Sequence, residues 1–330
     1  MILIKYYSVP LYSIYPNNPA MLKQIRYYKL PYIIYNFFNK KKLQHNIPLY
    51  KKYGLKKNYY SSISSTDFAH LPASKRGIDQ NRLVDTTFFK ELNAENKQSA
   101  LQYDENGYMI VRNFISPDDA DRINNEIEKL MENGTLKFIY GGKLMFAIHH
   151  SEIIKNIGND KNLLDFLSVL LDGKAKLFQS INFINGSQQK THSDSIHMTT
   201  YPLGGLLGVW IALEDVDETN GALHYIPKSH KLPYFLNSDY ENEGSAFKIG
   251  KKSYRAYEEF LESKVRELGL KKEIFKAKKG DMLIWHANIL HGGEPHTDKN
   301  KTRKSLVYHF FDENSVCYHE VTQRPALFEL

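Results

Sequence analysis

Cysteine is almost missing from this 330-residue chain. Cys317 stands alone, so no internal disulfide can form, and a reducing compartment is expected. Long apolar runs are missing too. None approaches the ~18 residues that cross a bilayer, and Met1-Ile2-Leu3-Ile4-Lys5 lacks the continuous apolar stretch of a signal peptide. A cytoplasmic location is therefore the expectation. Acidic residues are absent up to Asp67, whereas residues 1–60 carry eleven Lys or Arg and twelve of the 23 tyrosines. The net charge of +7 thus belongs to this segment and leaves about −4 for the rest. No repeat of fixed period runs through the chain.

The remaining composition is ordinary for a globular protein, 42% hydrophobic and 25% charged. The chain is long enough for one large domain or two modest ones. Pro10, Pro16, Pro19, Pro31 and Pro48 break any long helix in the basic segment. Such a segment can pack its aromatics on the main domain and leave its lysines in water, or it can meet a membrane surface or an acidic partner. Its lysines are too sparse to point to nucleic acid. The serine-rich stretch after Tyr60 and the polar residues up to 98 look like a connector. The division expected is residues 1–98 as extension and connector, and 99–330 as the main folded domain.

In that second part, Tyr108–Val111 is predicted as a strand. A helix is predicted from Ser116-Pro117-Asp118-Asp119, where a capping serine, an N1 proline and two acids favour the positive end of the helix. Ile123, Ile127 and Leu130 then recur at helical spacing until Asn133-Gly134. Leu163–Leu171 reads as a second helix. Strands follow at 176–184, 206–213, 221–226, 282–285 and 305–311, with a helix at 257–268 after a Tyr-rich insertion. Helices first, then many short strands separated by Gly and Asn turns, predict a mainly β core with supporting helices, a sandwich or barrel-like roll.

The chemistry is carried by His192-Ser193-Asp194, by His291 in Ile289-Leu290-His291-Gly292-Gly293, and by Arg303. Residues i and i+2 of a strand face the same way, so His192 and Asp194 can address one ion. A distant histidine completes a two-His, one-carboxylate set, the facial arrangement typical of non-haem Fe(II) oxygenases. The bland readings are a surface His-Ser-Asp turn and a core histidine bonded to a carbonyl. His286, His296 and His309 compete with His291 for the third place. Arg303 opens a strand in which Arg303, Ser305 and Val307 share a face. A guanidinium fork there can hold a carboxylate with help from the Ser305 hydroxyl.

Trp210-Ile211-Ala212-Leu213-Glu214-Asp215-Val216, followed by Asn220-Gly221-Ala222-Leu223-His224-Tyr225-Ile226-Pro227-Lys228-Ser229-His230-Lys231, resembles the phytanoyl-CoA dioxygenase family. The order H-x-D, this block, L-H-G-x-G, R-x-S is that family's order, and the resemblance covers roughly Tyr103 to Phe311. It implies a double-stranded β-helix (jelly-roll, cupin-like) fold using Fe(II), 2-oxoglutarate and O2. On this chain the metal and catalytic residues would be His192, Asp194 and His291. The cosubstrate residues would be Arg303, Ser305 and, from the strand Phe178–Phe183, Gln179 and Asn182. These last two lie on opposite faces of a regular strand. Trp210 is expected to pack the core. Gly293 stands where the family often has Ser or Thr, and Lys228 where it usually has Gly.

The activity implied is hydroxylation of an aliphatic C–H of a small molecule or lipid-like metabolite, with release of succinate and CO2. Two other readings fit parts of the sequence. One is a cupin-like isomerase or lyase that needs no 2-oxoglutarate. The other is a membrane- or partner-binding protein with an inactive barrel. His149, His150, His197, Tyr201 and Arg255 are the candidates for substrate contact.

Overall fold

The computed structural model describes residues 25–72, 76–139 and 141–328, so the first 24 residues of the basic segment, with Pro10, Pro16 and Pro19, lie outside the described residues. Twelve strands are seen among those described: β1 (Tyr108–Val111), β2 (Lys143–Met145), β3 (Ala175–Phe183), β4 (Thr199–Tyr201), β5 (Leu206–Ala212), β6 (Leu223–Tyr225), β7 (Glu273–Phe275), β8 (Met282–His286), β9 (His291–Gly293), β10 (Ser305–Asp312), β11 (Val316–His319) and β12 (Arg324–Pro325). A six-stranded sheet runs β1-β8-β5-β10-β3-β2, and three-stranded sheets run β7-β6-β9 and β12-β11-β4. Every ladder is antiparallel. The result is a double-stranded β-helix with helices on its outer face.

Alternation along the strands makes the two faces. Leu207, Val209 and Ile211 of β5, Met282 and Ile284 of β8, and Leu306, Tyr308 and Phe310 of β10 point to one side. There they join Ile123, Ile127 and Leu130 of the helix Pro117–Glu132 and Leu163, Phe166 and Leu167 of the helix Lys161–Leu170. The first of these helices begins as its sequence dictates, with the Asp119 amide donating to the Ser116 hydroxyl at 3.0 Å. The opposite side of the large sheet carries Ile181, Phe183, Trp210, Leu283, Trp285 and Val307. These pack against Leu223, Tyr225 and Phe275 of the β7-β6-β9 sheet. The functional residues lie within this second layer.

Residues 80–101 are not a connector. They form the helices Gln80–Asp85, Thr87–Glu91 and Ala94–Leu101. These put Leu83, Phe88, Phe89 and Ala100 into the main core, and position 98 falls inside the third. Each helix is too short to show a periodic apolar face in sequence. Further toward the N-terminus, Tyr50, Ile63 and Phe68 pack against Val316 and Tyr318 of β11.

Several histidines are buried as neutral groups. Burial pushes His45 down to about 4, and His224 and His286 down to about 3. In the unfolded chain each titrates near ~6.5. Between that pH and about 4 the unfolded state therefore binds more protons, and stability falls as pH drops through this window. The loss is up to about 1.4 kcal/mol per pH unit for each fully shifted histidine. Thermal unfolding of the metal-free protein should show a midpoint that drops between about pH 6.5 and 4.5, with proton uptake on unfolding. A flat midpoint over that range would contradict this burial.

Candidate metal and cosubstrate site

His192 and His291 are pinned to each other through the backbone. The His192 amide donates to the His291 carbonyl at 2.8 Å, and the His291 amide returns the bond at 2.9 Å. Directly opposed residues of an antiparallel pair project to the same face, and the two imidazole centroids sit 4.4 Å apart. His291 opens β9, where Gly292 is required: a Cβ there would come within 2.7 Å of both the Gln189 carbonyl and the His224 ring. Asp194 is reached differently from the expectation. The strand does not continue through it. Ser193 is extended, donates its hydroxyl to the Ala287 carbonyl at 2.9 Å, and caps a 3-10 turn, Asp194–Ile196, that starts at the aspartate. The carboxylate arrives beside the histidines because the chain turns there.

The donor atoms of His192, Asp194 and His291 lie within 4.8 Å of one another, and all three residues are buried. Asp194 Oδ1 is 3.9 Å from His192 Nε2, and Oδ2 is 3.8 Å from His291 Nε2. Each imidazole gives its Nδ1–H to a backbone carbonyl, His192 to Lys190 at 2.8 Å and His291 to Ile289 at 3.1 Å. Both Nε2 lone pairs are thereby left facing the carboxylate, the tautomer a metal requires. Burial drives both histidines below their ordinary range. Burial would raise Asp194, but His291, His309 and His192 outweigh it and hold the carboxylate below its usual range. Two neutral imidazoles and one anion, with no fourth protein ligand among the described residues, fit a divalent iron with open positions.

Two residues hold the aspartate: Trp285, which the sequence did not single out, and His309, which it offered only as a rival third ligand. Trp285 donates its indole N–H to Asp194 Oδ2 at 2.9 Å. Its ring lies flat only because Gly208 is its cross-strand partner, since a Cβ at 208 would sit 2.1 Å from the indole. His309 Nε2 is 3.5 Å from the same oxygen. The Gln179 amide lies 2.9 Å from His309 Nδ1. An amide nitrogen can only donate, so it holds the proton of His309 on Nε2, facing Asp194. Gln179 and His309 are directly opposed in the regular register of β3 against β10, which shifts only beyond this pair, at Phe178. Alternation alone put Gln179 and Asn182 on opposite faces, but that Gln179 meets His309 depends on the pairing of two strands and is not written in either one.

Arg303 and Ser305 share a face as expected. Arg303 is buried and donates from Nη1 to the Ser305 hydroxyl at 2.7 Å and from Nε to the Gly221 carbonyl at 3.1 Å. Its guanidinium carbon stands 5.5 Å from the Phe183 ring and 5.7 Å from Trp210. Gly186, at φ +70°, packs flat on it; a Cβ there would meet Nε at 2.7 Å. Burial lowers Arg303 to about 10, still a cation at neutral pH. Lys143 at the end of β2 is a second cation facing the same cavity. Burial pulls its pKa down while Asp194 and Glu258 push it up. Asn182 does not reach the cavity. It alternates with Ile181 and Phe183, which line it, so its amide falls on the helix-packed face beside Leu306 and Leu144.

Beyond the three donors the cavity opens past Met145, Ile181 and Met198 toward Tyr254, Glu258 and His197. Of the substrate candidates, His197 is here, 3.2 Å from His319. Tyr201 instead stacks on Phe68, Arg255 pairs with Glu259 on the surface, and His149 and His150 are exposed.

The phytanoyl-CoA dioxygenase family model matches residues 103–305. The chain belongs to this family. A phytanoyl-CoA dioxygenase domain-containing protein 1 from Danio rerio is 22% identical over 282 residues, covering 66% of this chain and 91% of that protein. A peroxisomal phytanoyl-CoA dioxygenase from Bos taurus is 22% identical over 255 residues, covering 69% and 72%. Among solved structures, the non-heme alpha ketoglutarate dependent carbocyclase SnoK superposes with a TM-score of 0.56 at 15% identity, covering 69% of this chain and 87% of that one. The epimerase SnoN in complex with Fe3+, alpha ketoglutarate and nogalamycin RO gives 0.52 at 17%, covering 68% and 86%. These likenesses establish the double-stranded β-helix; family membership makes the chain an enzyme of the 2-oxoglutarate-dependent oxygenase superfamily.

Trp285→Phe should lower affinity for Fe(II), or for Co(II) as a stable probe, by about tenfold or more without unfolding the protein, because it removes a bond that orients a ligand. Calorimetric titration with each metal would read this, and an unchanged affinity would remove Trp285 from the site.

Proposed function

We propose that this chain is an Fe(II)- and 2-oxoglutarate-dependent oxygenase that hydroxylates an aliphatic C–H of a small molecule or lipid-like metabolite and releases succinate and CO2. The observation that carries the reading is the meeting of a buried two-His, one-carboxylate set with a buried, unmatched guanidinium in one cavity. His192, Asp194 and His291 would hold the iron. When bound, iron supplies dioxygen activation, which no side chain here could supply.

The chain's own residues do the positioning. No carboxylate lies within salt-bridge distance of Arg303 among the described residues, and an isolated buried charge is costly. A dicarboxylate cosubstrate resolves that cost. Its far carboxylate would meet Arg303 and the Ser305 hydroxyl, and Lys143 stands ready for a second negative group. Gln179, through His309, and Trp285 keep Asp194 ionised and oriented. Met145, Ile181 and Met198 give the substrate carbon a dry wall, while Tyr254, Glu258 and His197 offer polar contacts that set which carbon is presented.

The buried Arg303 favours this reading over a cupin-like isomerase or lyase, which has no use for a dicarboxylate. The intact donor set favours it over an inactive barrel. Anaerobic titration with Fe(II) and 2-oxoglutarate, followed by succinate measurement across a metabolite panel, tests it. His192→Ala and Asp194→Ala should abolish substrate-dependent succinate formation. Arg303→Ala should weaken 2-oxoglutarate binding by about 30-fold or more, the cost of ~2–5 kcal/mol for truncating one side of a buried charge pair. Wild-type cosubstrate affinity in the Arg303→Ala protein would refute its role.

A further inference from the structure

The helix Lys29–Phe37 is amphipathic the wrong way round. Its inward face is aromatic and polar: Tyr32 and Asn36 are buried, and the Tyr32 hydroxyl donates to the Arg26 carbonyl at 2.7 Å. Its outward face is apolar. Leu30 is 63% exposed, Ile34 49%, Phe37 54%, and Phe38 just beyond the helix 79%. The spacing i, i+4, i+7, i+8 places all four on one stripe. A second segment reaches the N-terminal end of the helix, beside Leu30, where the Lys29 amide donates to the Phe247 carbonyl at 2.9 Å; Phe247 is 78% exposed. Large exposed apolar residues gathered this way mark an interaction surface.

The charge around the stripe identifies what covers it. Lys40 and Lys41 follow Phe38 after Asn39, and Lys51, Lys52 and Lys56 come from the helix Asn46–Lys52 and its exit; all five are exposed. Among the described residues none of the five has a carboxylate within ion-pair distance, and the sequence holds no acid before Asp67. Aromatic and aliphatic side chains flanked by unpaired lysines fit the interface of an anionic bilayer, where the apolar groups enter the headgroup boundary and each lysine adds electrostatic attraction. The other side of the helix supports a lipid surface over a protein one. Asn36 lines an apolar cavity with Phe178, Leu206 and Phe328, and Met198 and His197 form walls of both that cavity and the site cavity. We propose that the face formed by Leu30, Ile34, Phe37, Phe38 and Phe247, with the exposed lysines of the same N-terminal segment, docks the enzyme on anionic membranes.

Co-sedimentation of the full chain with vesicles of phosphatidylcholine alone and of phosphatidylcholine mixed with phosphatidylserine tests this. The protein should partition onto the mixed vesicles and not the neutral ones, and added salt should weaken the binding. Phe37→Ser with Phe38→Ser, and separately Lys40→Glu with Lys41→Glu, should each reduce partitioning about tenfold or more. Both pairs are on the surface, so unchanged thermal unfolding is expected and would be measured alongside. The proposal is overturned if the wild-type protein ignores the mixed vesicles, or if it binds equally in both variants. It is also overturned if light scattering shows a dimer that the phenylalanine variant dissolves, for then a second copy covers the face.

Discussion

Two backbone hydrogen bonds between His192 and His291 hold the site together. They bring residues almost a hundred positions apart into direct opposition, so that both imidazoles leave the same face of the sheet. The rest of the geometry is built around that pair. Each Nδ1 is tied to a carbonyl within its own segment, and Asp194 is turned in by a short helical turn and held by Trp285. A free side chain would sample several rotamers; here rigid backbone pairing removes most of that freedom before a metal is bound.

Burial then separates the charges by role. Neutral histidines and an ionised aspartate make a set of net charge −1, suited to a divalent cation. Arg303 sits on the same cavity with its hydrogen bonds directed at a hydroxyl and a carbonyl and not at an acid. Lys143 stands opposite Asp194 and Glu258. Lys143 thus faces two acids, whereas no described carboxylate lies within ion-pair distance of Arg303, and the far carboxylate of a dicarboxylate would complete that one cation. This is also why the fold is two-layered at this point. The large sheet brings Arg303, His309 and Trp285, and the smaller sheet brings His291, so neither sheet contains the site alone.

The outer helices differ in what they bury. Those at residues 80–101, 117–132 and 161–170 seal one face of the large sheet, while the helix Lys29–Phe37 packs Tyr32 against Ile249 and turns apolar residues outward. The same physics of burial is satisfied in the first case and left open in the second.

Much was written in the linear order of residues. Strand alternation and helix spacing marked β1, β3, β5, β8, β10 and the helices at 117–132 and 161–170, because these periods are imposed by backbone geometry itself. The H-x-D pair, the His before two glycines and the Arg-x-Ser step named the candidate donors by chemistry. What the linear order did not contain was anything that depends on a partner from elsewhere in the chain. Trp285 reaches Asp194 only because Gly208 lies across from it. Gln179 meets His309 only because β10 lies in register beside β3. Lys143 is a metal-site cation only once its strand closes the sheet edge. The sequence by itself determined which residue types were available and which way neighbours alternate; the tertiary structure alone decided which of them meet, since side-chain contact across a sheet is set by pairing register, and register is a property of two strands and not of one.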